Sequence, residues 1–219
     1  MVGGAIMSLV LELQQQSIES NSDVLSLLRK ALLVAHKLEL KDFEKWINAE
    51  LNGYQNGDKI PNYRKVFGEI KGKNPYNGVW MPVIITGEHA QDAAASKLVT
   101  NSIGDLYAIS KSDKEVVIPM TSSENIMFSK NLPFQTKFEL FISSSIVNHI
   151  IEQVKTNILN WTLVLEEKEI IGEGMSFSQE EKNKAKSESQ IINYISNFYG
   201  DMIDSQFQQG TSKSSQNKK

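Results

Sequence analysis

The chain has 219 residues, 40% hydrophobic and 22% charged, with a formal net charge of −3 and no cysteine. These values suit one large globular domain or two small ones, and they exclude disulfides, a thiolate nucleophile and cysteine-held zinc. They give no overall pull toward nucleic acid or anionic lipid. No apolar run reaches the ~20 residues that a bilayer-spanning helix needs. MVGGAIMSLVLEL lacks a basic leader region, so a cytoplasmic protein without a membrane partner is expected.

Residues Ser8 to Leu51 predict three amphipathic helices. Leu9, Val10, Leu13 and Ser17 share one side of the first. Val24, Leu27, Leu28, Ala31, Ala35 and Leu38 do so in the second, with Asn21 or Ser22 as N-cap and Asp23 in the first turn. Phe43, Trp46, Ile47 and Leu51 form the stripe of the third, which Asn52-Gly53 ends. Asn56-Gly57-Asp58 is a turn, and Pro61 pushes Ile60 toward extended backbone. A strand is predicted from near Tyr63, with Tyr63, Lys65 and Phe67 on one face and Arg64 and Val66 on the other. VWMPVII reads as a second strand, which Pro82 places at an edge or a bulge.

Residues 88–110 read as weakly helical and broken at Gly104. EVVIPM and KFELFIS predict further strands, with Phe138, Leu140 and Ile142 on one face of the latter. The longest helical signal runs from Ser145 to Ile170 and ends at Gly172-Glu173-Gly174. Ser178 with Glu181 is a capping-box pattern for a short polar helix over 178–186. QIINYISNFYG and DMIDSQFQQG read as short strands, and the polar tail after them as disordered. The sum is an α+β fold with an N-terminal helical bundle, a small, mainly antiparallel sheet and a long helix packed on it. It occupies residues 7–175. A polar helix and β-like appendage follow at 176–209, and a disordered tail at 210–219.

Chemistry-bearing residues are sparse. His36, His89 and His149 show no metal-ligand spacing, and each reads as structural. Ser143 to Ser145 lack a nucleophile-elbow context and read as caps for the long helix. Glu166, Glu167, Glu169 and Glu173 could supply carboxylates to a divalent ion, but a run of this kind is ordinarily a solvated helix face. No catalytic residue, cofactor or metal site is therefore assigned. The residues singled out for ligand binding are Arg29, Tyr54, Lys59, Tyr63, Arg64, Lys65, Lys71 and Lys73. Cations interleaved with aromatics suit phosphates and unstacked bases, so nucleic acid is one expected ligand. The competing reading packs the aromatics inward and leaves the lysines to keep a sheet edge soluble. Arg29 and Arg64 are the chain's only arginines. Each could hold a carboxylate or a loop carbonyl, or an anionic ligand. If the 43–66 loop binds anything, Tyr54, Tyr63 and Arg64 should point outward.

Three stretches carry a resemblance: SLVLELQQQSIESNSDVLSLLRKALLVAHKLELKDFEKWINAELNGY, IPNYRKVFGEIKGKNPYNGVWMPV and ILNWTLVLEEKEIIGEGMSF. Together they resemble the AbiTii-type abortive-infection domain of bacterial anti-phage defence, across most of residues 8–178. DSQFQQGTSKSSQ is similar to a polar segment that often follows this domain. The resemblance implies phage defence, often beside a partner defence protein or against a phage component, and it brings no catalytic residues with it. Three mechanisms are open: binding or assembly, action on nucleic acid through residues 59–73, and regulation of a separate toxic effector. The QFQQG stretch adds the expectation of a homo-oligomer.

Overall fold

The computed structural model describes residues 8–83, 94–112, 115–130 and 132–187. The chain divides into two compact units. Unit 1 comprises residues up to Tyr63, Asn101–Gly104 and the chain from Ile151 onward, and unit 2 comprises Arg64–Thr100 and Asp105–Ile150. The expected α+β class, with N-terminal helices, small antiparallel sheets and one long helix, is what is observed.

Unit 1 opens with α1 (Leu9–Ile18), α2 (Val24–Lys37) and α3 (Lys41–Asn52). The predicted stripes are buried: Leu9, Val10 and Leu13 on α1, Leu27, Leu28 and Ala31 on α2, Phe43, Trp46 and Ile47 on α3. The N-cap of α2 is Asp23 and not Asn21 or Ser22, because its two carboxylate oxygens accept from the Leu25 and Ser26 N–H groups at 3.3 and 3.1 Å. Gly53 ends α3 at φ 87°, a conformation that a side chain would disfavour.

The long helix α6 (Ser144–Glu167) brings Trp161 onto Phe43 of α3, ring centroids 4.0 Å apart and nearly parallel. It stops sooner than the glycines at 172 and 174 suggested. Glu169 takes φ 58°, and the Ile170 N–H reaches back to the Leu165 carbonyl at 2.8 Å. The end of α2 repeats the device: Glu39 has φ 61°, and the Leu40 N–H bonds the Ala35 carbonyl at 3.0 Å. In both cases the next residue, Leu40 or Ile170, is buried, which completes the hydrophobic contact of this stop. A glutamate thus does what glycine ordinarily does, and sequence punctuation gave no sign of it.

Unit 2 holds two antiparallel sheets. β1 (Lys65–Phe67) pairs with β4 (Ser96–Leu98). The second sheet has β2 (Glu69–Lys73), β3 (Trp80–Pro82), β5 (Val116–Pro119) and β6 (Phe138–Ile142), in the order β3-β2-β6-β5. Pro82 lies on the edge strand, where its missing N–H costs no ladder bond. Phe138, Leu140 and Ile142 face inward as their alternation requires.

Three local expectations change. Asn62–Arg64 is a single 3-10 turn, so the first strand starts at Lys65 and not at Tyr63. Ser96–Leu98 is a strand inside the segment read as helical, since three residues are too few to show a period and pairing with β1 decides their state. Gly104 lies in the first turn of α4 (Ile103–Ser110) and breaks nothing. An additional helix, α5 (Ser122–Ser129), starts from a capping box between Thr121 and Glu124. The polar helix is α7 (Gln179–Ser187), and Glu181 caps it as expected, accepting from the Ser178 N–H at 2.8 Å. His89, the two C-terminal strands and the tail lie outside the described residues.

Candidate functional site

The loop that follows α3 turns its aromatic residues inward. Glu50, in the last turn of α3, is fully buried. A buried carboxylate must be met by donors, and two phenols serve: Tyr54 at 2.6 Å and Tyr63 at 2.5 Å. The Tyr63 oxygen in turn accepts from the Trp46 indole N–H at 3.0 Å. Burial, then the charge of Glu50, pushes the Tyr63 phenol well above its usual pKa, so it remains a proton donor. The corner itself is made by Gly57 at φ 95° and by Asp58, whose carboxylate accepts from the Gln55 N–H at 2.6 Å. This constellation satisfies a buried acid and fixes a loop.

Arg64, in unit 2, is also fully buried. Its guanidinium donates to the Val99 carbonyl at 3.1 Å, and its own carbonyl accepts from the Val99 N–H at 2.9 Å. Holding a loop carbonyl was one of the roles expected of it. Tyr54, Tyr63 and Arg64 do not point outward, which was the condition for ligand binding by this loop.

The remaining candidates are cations at the surface. Arg29 is exposed on α2, and Lys59 is exposed in the loop of unit 1. Lys65 lies on β1, and Lys71 and Lys73 lie on β2, all in unit 2. Lys71 lies 3.3 Å from both Glu69 and Glu115, and 4.3 Å from the Phe141 ring centroid. Burial pulls its pKa down, but the bonds to Glu115 and Glu69 outweigh that and hold it above the usual lysine value. Its charge is already answered. Lys65 lies over Phe67 at 5.4 Å and Lys73 over Trp80 at 5.8 Å.

Pairing across the four strands defines an outer sheet face. Pro82, Lys71, Glu139 and Pro119 form one continuous row, Glu69, Phe141 and Val117 the next, and Lys73 stands beside Trp80. Trp80 and Phe141 meet edge to face, centroids 5.5 Å apart. The β2–β3 turn exposes Tyr76 and Val79, the edge strand β3 exposes Met81, and α5 exposes Ile126 and Met127. Two clefts open here. One, of about 430 Å³, lies between α5 and residues 132–135, and the other, of about 490 Å³, lies between the β2–β3 turn and residues 135–137.

Nine of the thirteen large apolar side chains that are exposed among the described residues belong to unit 2. Tyr76 stands out in the sequence only as an aromatic beside the basic stretch, and Val79, Met81, Ile126 and Met127 carry no charge to draw attention to them. A usable signal existed in NPYNGVWM, where apolar residues sit in and beside a turn and so cannot all be buried.

Among the described residues, no three His, Asp or Glu side chains converge as a metal site would require. Glu166 accepts from the Gln14 amide at 2.9 Å, and Glu169 lies 3.2 Å from Lys184. No helix among them is long and apolar enough to cross a membrane.

A family model described as AbiTii matches residues 8–190. No curated protein and no solved structure matches the chain.

Proposed function

Because the chain belongs to the AbiTii family, and so to abortive-infection anti-phage defence, we propose that it acts there by recognising another macromolecule through the surface of unit 2. The observation that supports this reading is the concentration of exposed apolar side chains on that unit. Soluble proteins seldom leave such side chains clustered in water without use. Tyr76 is 85% exposed, and Val79 and Met81 are more than half exposed on the same turn and strand. The partner in this reading is a companion defence protein or a phage component. A second copy of the chain is a further occupant, which would make the protein a homo-oligomer.

The test replaces Tyr76, Val79 and Met81 together by Ser and measures phage plating on cells that make the variant. The expected outcome is loss of protection with protein level and melting temperature retained. Full protection by the triple variant would remove the reading. Light scattering on wild type and variant distinguishes a second copy from a different partner.

A second reading is favoured by one specific arrangement. Trp80 and Phe141 lie on the outer face of the sheet with Lys73 over the Trp80 ring. Single strands bind such faces by stacking bases on rings while cations meet phosphates. In that case an oligonucleotide should bind with an affinity that falls steeply with salt, and Trp80→Ala should weaken it. Absence of any salt-dependent binding would remove this second reading and leave the first standing.

A further inference from the structure

We propose that the cleft beside α5, with the lysine-lined cleft next to it, receives an acidic peptide segment of a partner protein, anchored by one apolar side chain. This rests on the reading that unit 2 recognises a macromolecule, and it specifies that partner's chemistry.

The first cleft is walled by Ile126, Met127, Leu132, Pro133 and Phe134. Ile126 and Met127 are 63% and 59% exposed, on a helix that is firmly held. Its first turn is closed by the Thr121–Glu124 capping box. Asn125 ties it to the sheet, donating to the Met120 carbonyl at 3.1 Å and accepting from the Phe138 N–H at 2.7 Å. Ser129 accepts from the Thr136 N–H at 3.3 Å, which fixes the far end of the segment. The Phe134 ring is set edge-on to Tyr76, centroids 5.9 Å apart. The walls are therefore in place before anything binds, which lowers the ordering cost of association. Their surface is mostly aliphatic and suits a Leu, Ile or Phe side chain better than a flat base.

The second cleft supplies the charge. Lys73 and Lys137 line it with Asn74 and Thr136, and Gln135 is common to both clefts. Lys130 stands at the rim of the first. None of these three lysines makes an ion pair among the described residues, whereas Lys71 and Lys97 of the same unit are each answered by glutamates. Three cations without a carboxylate partner among the described residues, set beside an apolar slot, complement a peptide that carries an apolar anchor next to Asp or Glu.

The experiment pans a displayed library of random peptides against the full-length chain. The strongest binders are then measured by fluorescence anisotropy as synthetic peptides. Selected sequences should share a Leu, Ile or Phe next to two or more acidic residues. Ile126→Ser/Met127→Ser should weaken such a peptide by roughly tenfold or more, as loss of an anchor contact does. Lys130→Glu/Lys137→Glu should weaken it further at low salt than at high salt. All four substituted side chains are outside the core, and an unchanged melting temperature confirms that each double variant folds. A basic or featureless selection, or binding unaffected by both double variants, overturns the proposal. So does direct binding of oligothymidylate, lost in both double variants, with no peptide selected, which would assign the clefts to nucleic acid. A chain that self-associates through Ile126 and Met127, seen as a mass change in the Ser variant, also overturns it. If the peptide result is negative but the Tyr76/Val79/Met81 variant still loses protection, only this inference fails. If peptides bind as expected and neither surface variant affects protection, the broader reading fails.

Discussion

Unit 1 meets its buried acid and its helix-ending glutamates from within, and unit 2 leaves most of the large exposed apolar side chains to solvent. In unit 1 a buried carboxylate, Glu50, is met by two phenols, and the two glutamates that end helices are met by lysines of α7: Glu39 by Lys186 at 2.7 Å and Glu169 by Lys184 at 3.2 Å. Glu181 adds a further tie, accepting from the Gly172 N–H at 2.7 Å. Unit 2 has an equally regular interior around Ile70, Phe138 and Leu140, yet its turn, its outer sheet face and α5 expose large apolar side chains. The difference separates two uses of sequence. The buried and helix-ending glutamates of unit 1 are explained by their partners within the unit, whereas the exposed apolar side chains of unit 2 are where a partner should be sought.

Stability measurements can break this division. The largest effect is expected at Trp161, which is fully buried and stacked on Phe43. Trp161→Ala should cost about 4 kcal/mol in urea unfolding, the usual scale for deleting a large buried ring. Trp161→Phe should cost far less, because the indole N–H has no partner among the described residues and its loss forfeits no bond. Next comes Gly68 in unit 2, where an added Cβ would sit 2.4 Å from the Phe141 carbonyl oxygen and 2.7 Å from an Ile142 methyl. Backbone cannot yield as a side chain can, so Gly68→Ala should cost about 3 kcal/mol, the upper end for overpacking. Tyr63→Phe follows at about 2 kcal/mol, since it removes one of the donors to a buried carboxylate. The triple Ser variant at Tyr76, Val79 and Met81 should remain within about 0.5 kcal/mol of wild type per site, as surface substitutions do. A large loss there would mean that these side chains belong to the fold, and the contrast between the units would collapse.

How much of this was legible follows from what kind of signal each feature has. The stripes of α1, α2, α3 and α6 are long enough for a period of 3.6 to stand out, and the Phe138–Ile142 alternation is clean. The capping box at Ser178 and Glu181 was readable as a local pattern. The same pattern at Thr121 and Glu124 was equally present and was overlooked, so α5 and its cleft were missed with it. Three-residue strands such as Ser96–Leu98 carry no period and are set by their partners. The candidate site fared differently. Arg64 and Tyr63 were conspicuous for composition, but composition does not tell whether a rare side chain is turned inward to satisfy a neighbour. Conversely, Ile126 and Met127 looked ordinary because an apolar residue is unremarkable until its exposure is known.

The smallest predicted effect concerns the tie between α7 and the end of α2. Glu39 sits at a helix C-terminus, where its own charge is unfavourable, and Lys186 offsets this. The hydrogen bond from Lys186, then its charge, holds the Glu39 carboxyl below its ordinary value of 4.5. A carboxyl lowered in the folded state stabilises it at pH values above the unfolded pKa, and that contribution is lost as pH falls through the folded pKa. Lys186→Ala should therefore raise the Glu39 midpoint toward 4.5, read from its side-chain carboxyl resonance. The stability difference between wild type and variant should be present at neutral pH and vanish in acid below the folded midpoint. Both groups are exposed, so added salt should shrink the difference at neutral pH as well. A midpoint that does not move in Lys186→Ala would mean that α7 is held by the burial of Ala185 and the Glu181 bonds, with the lysine tie contributing nothing.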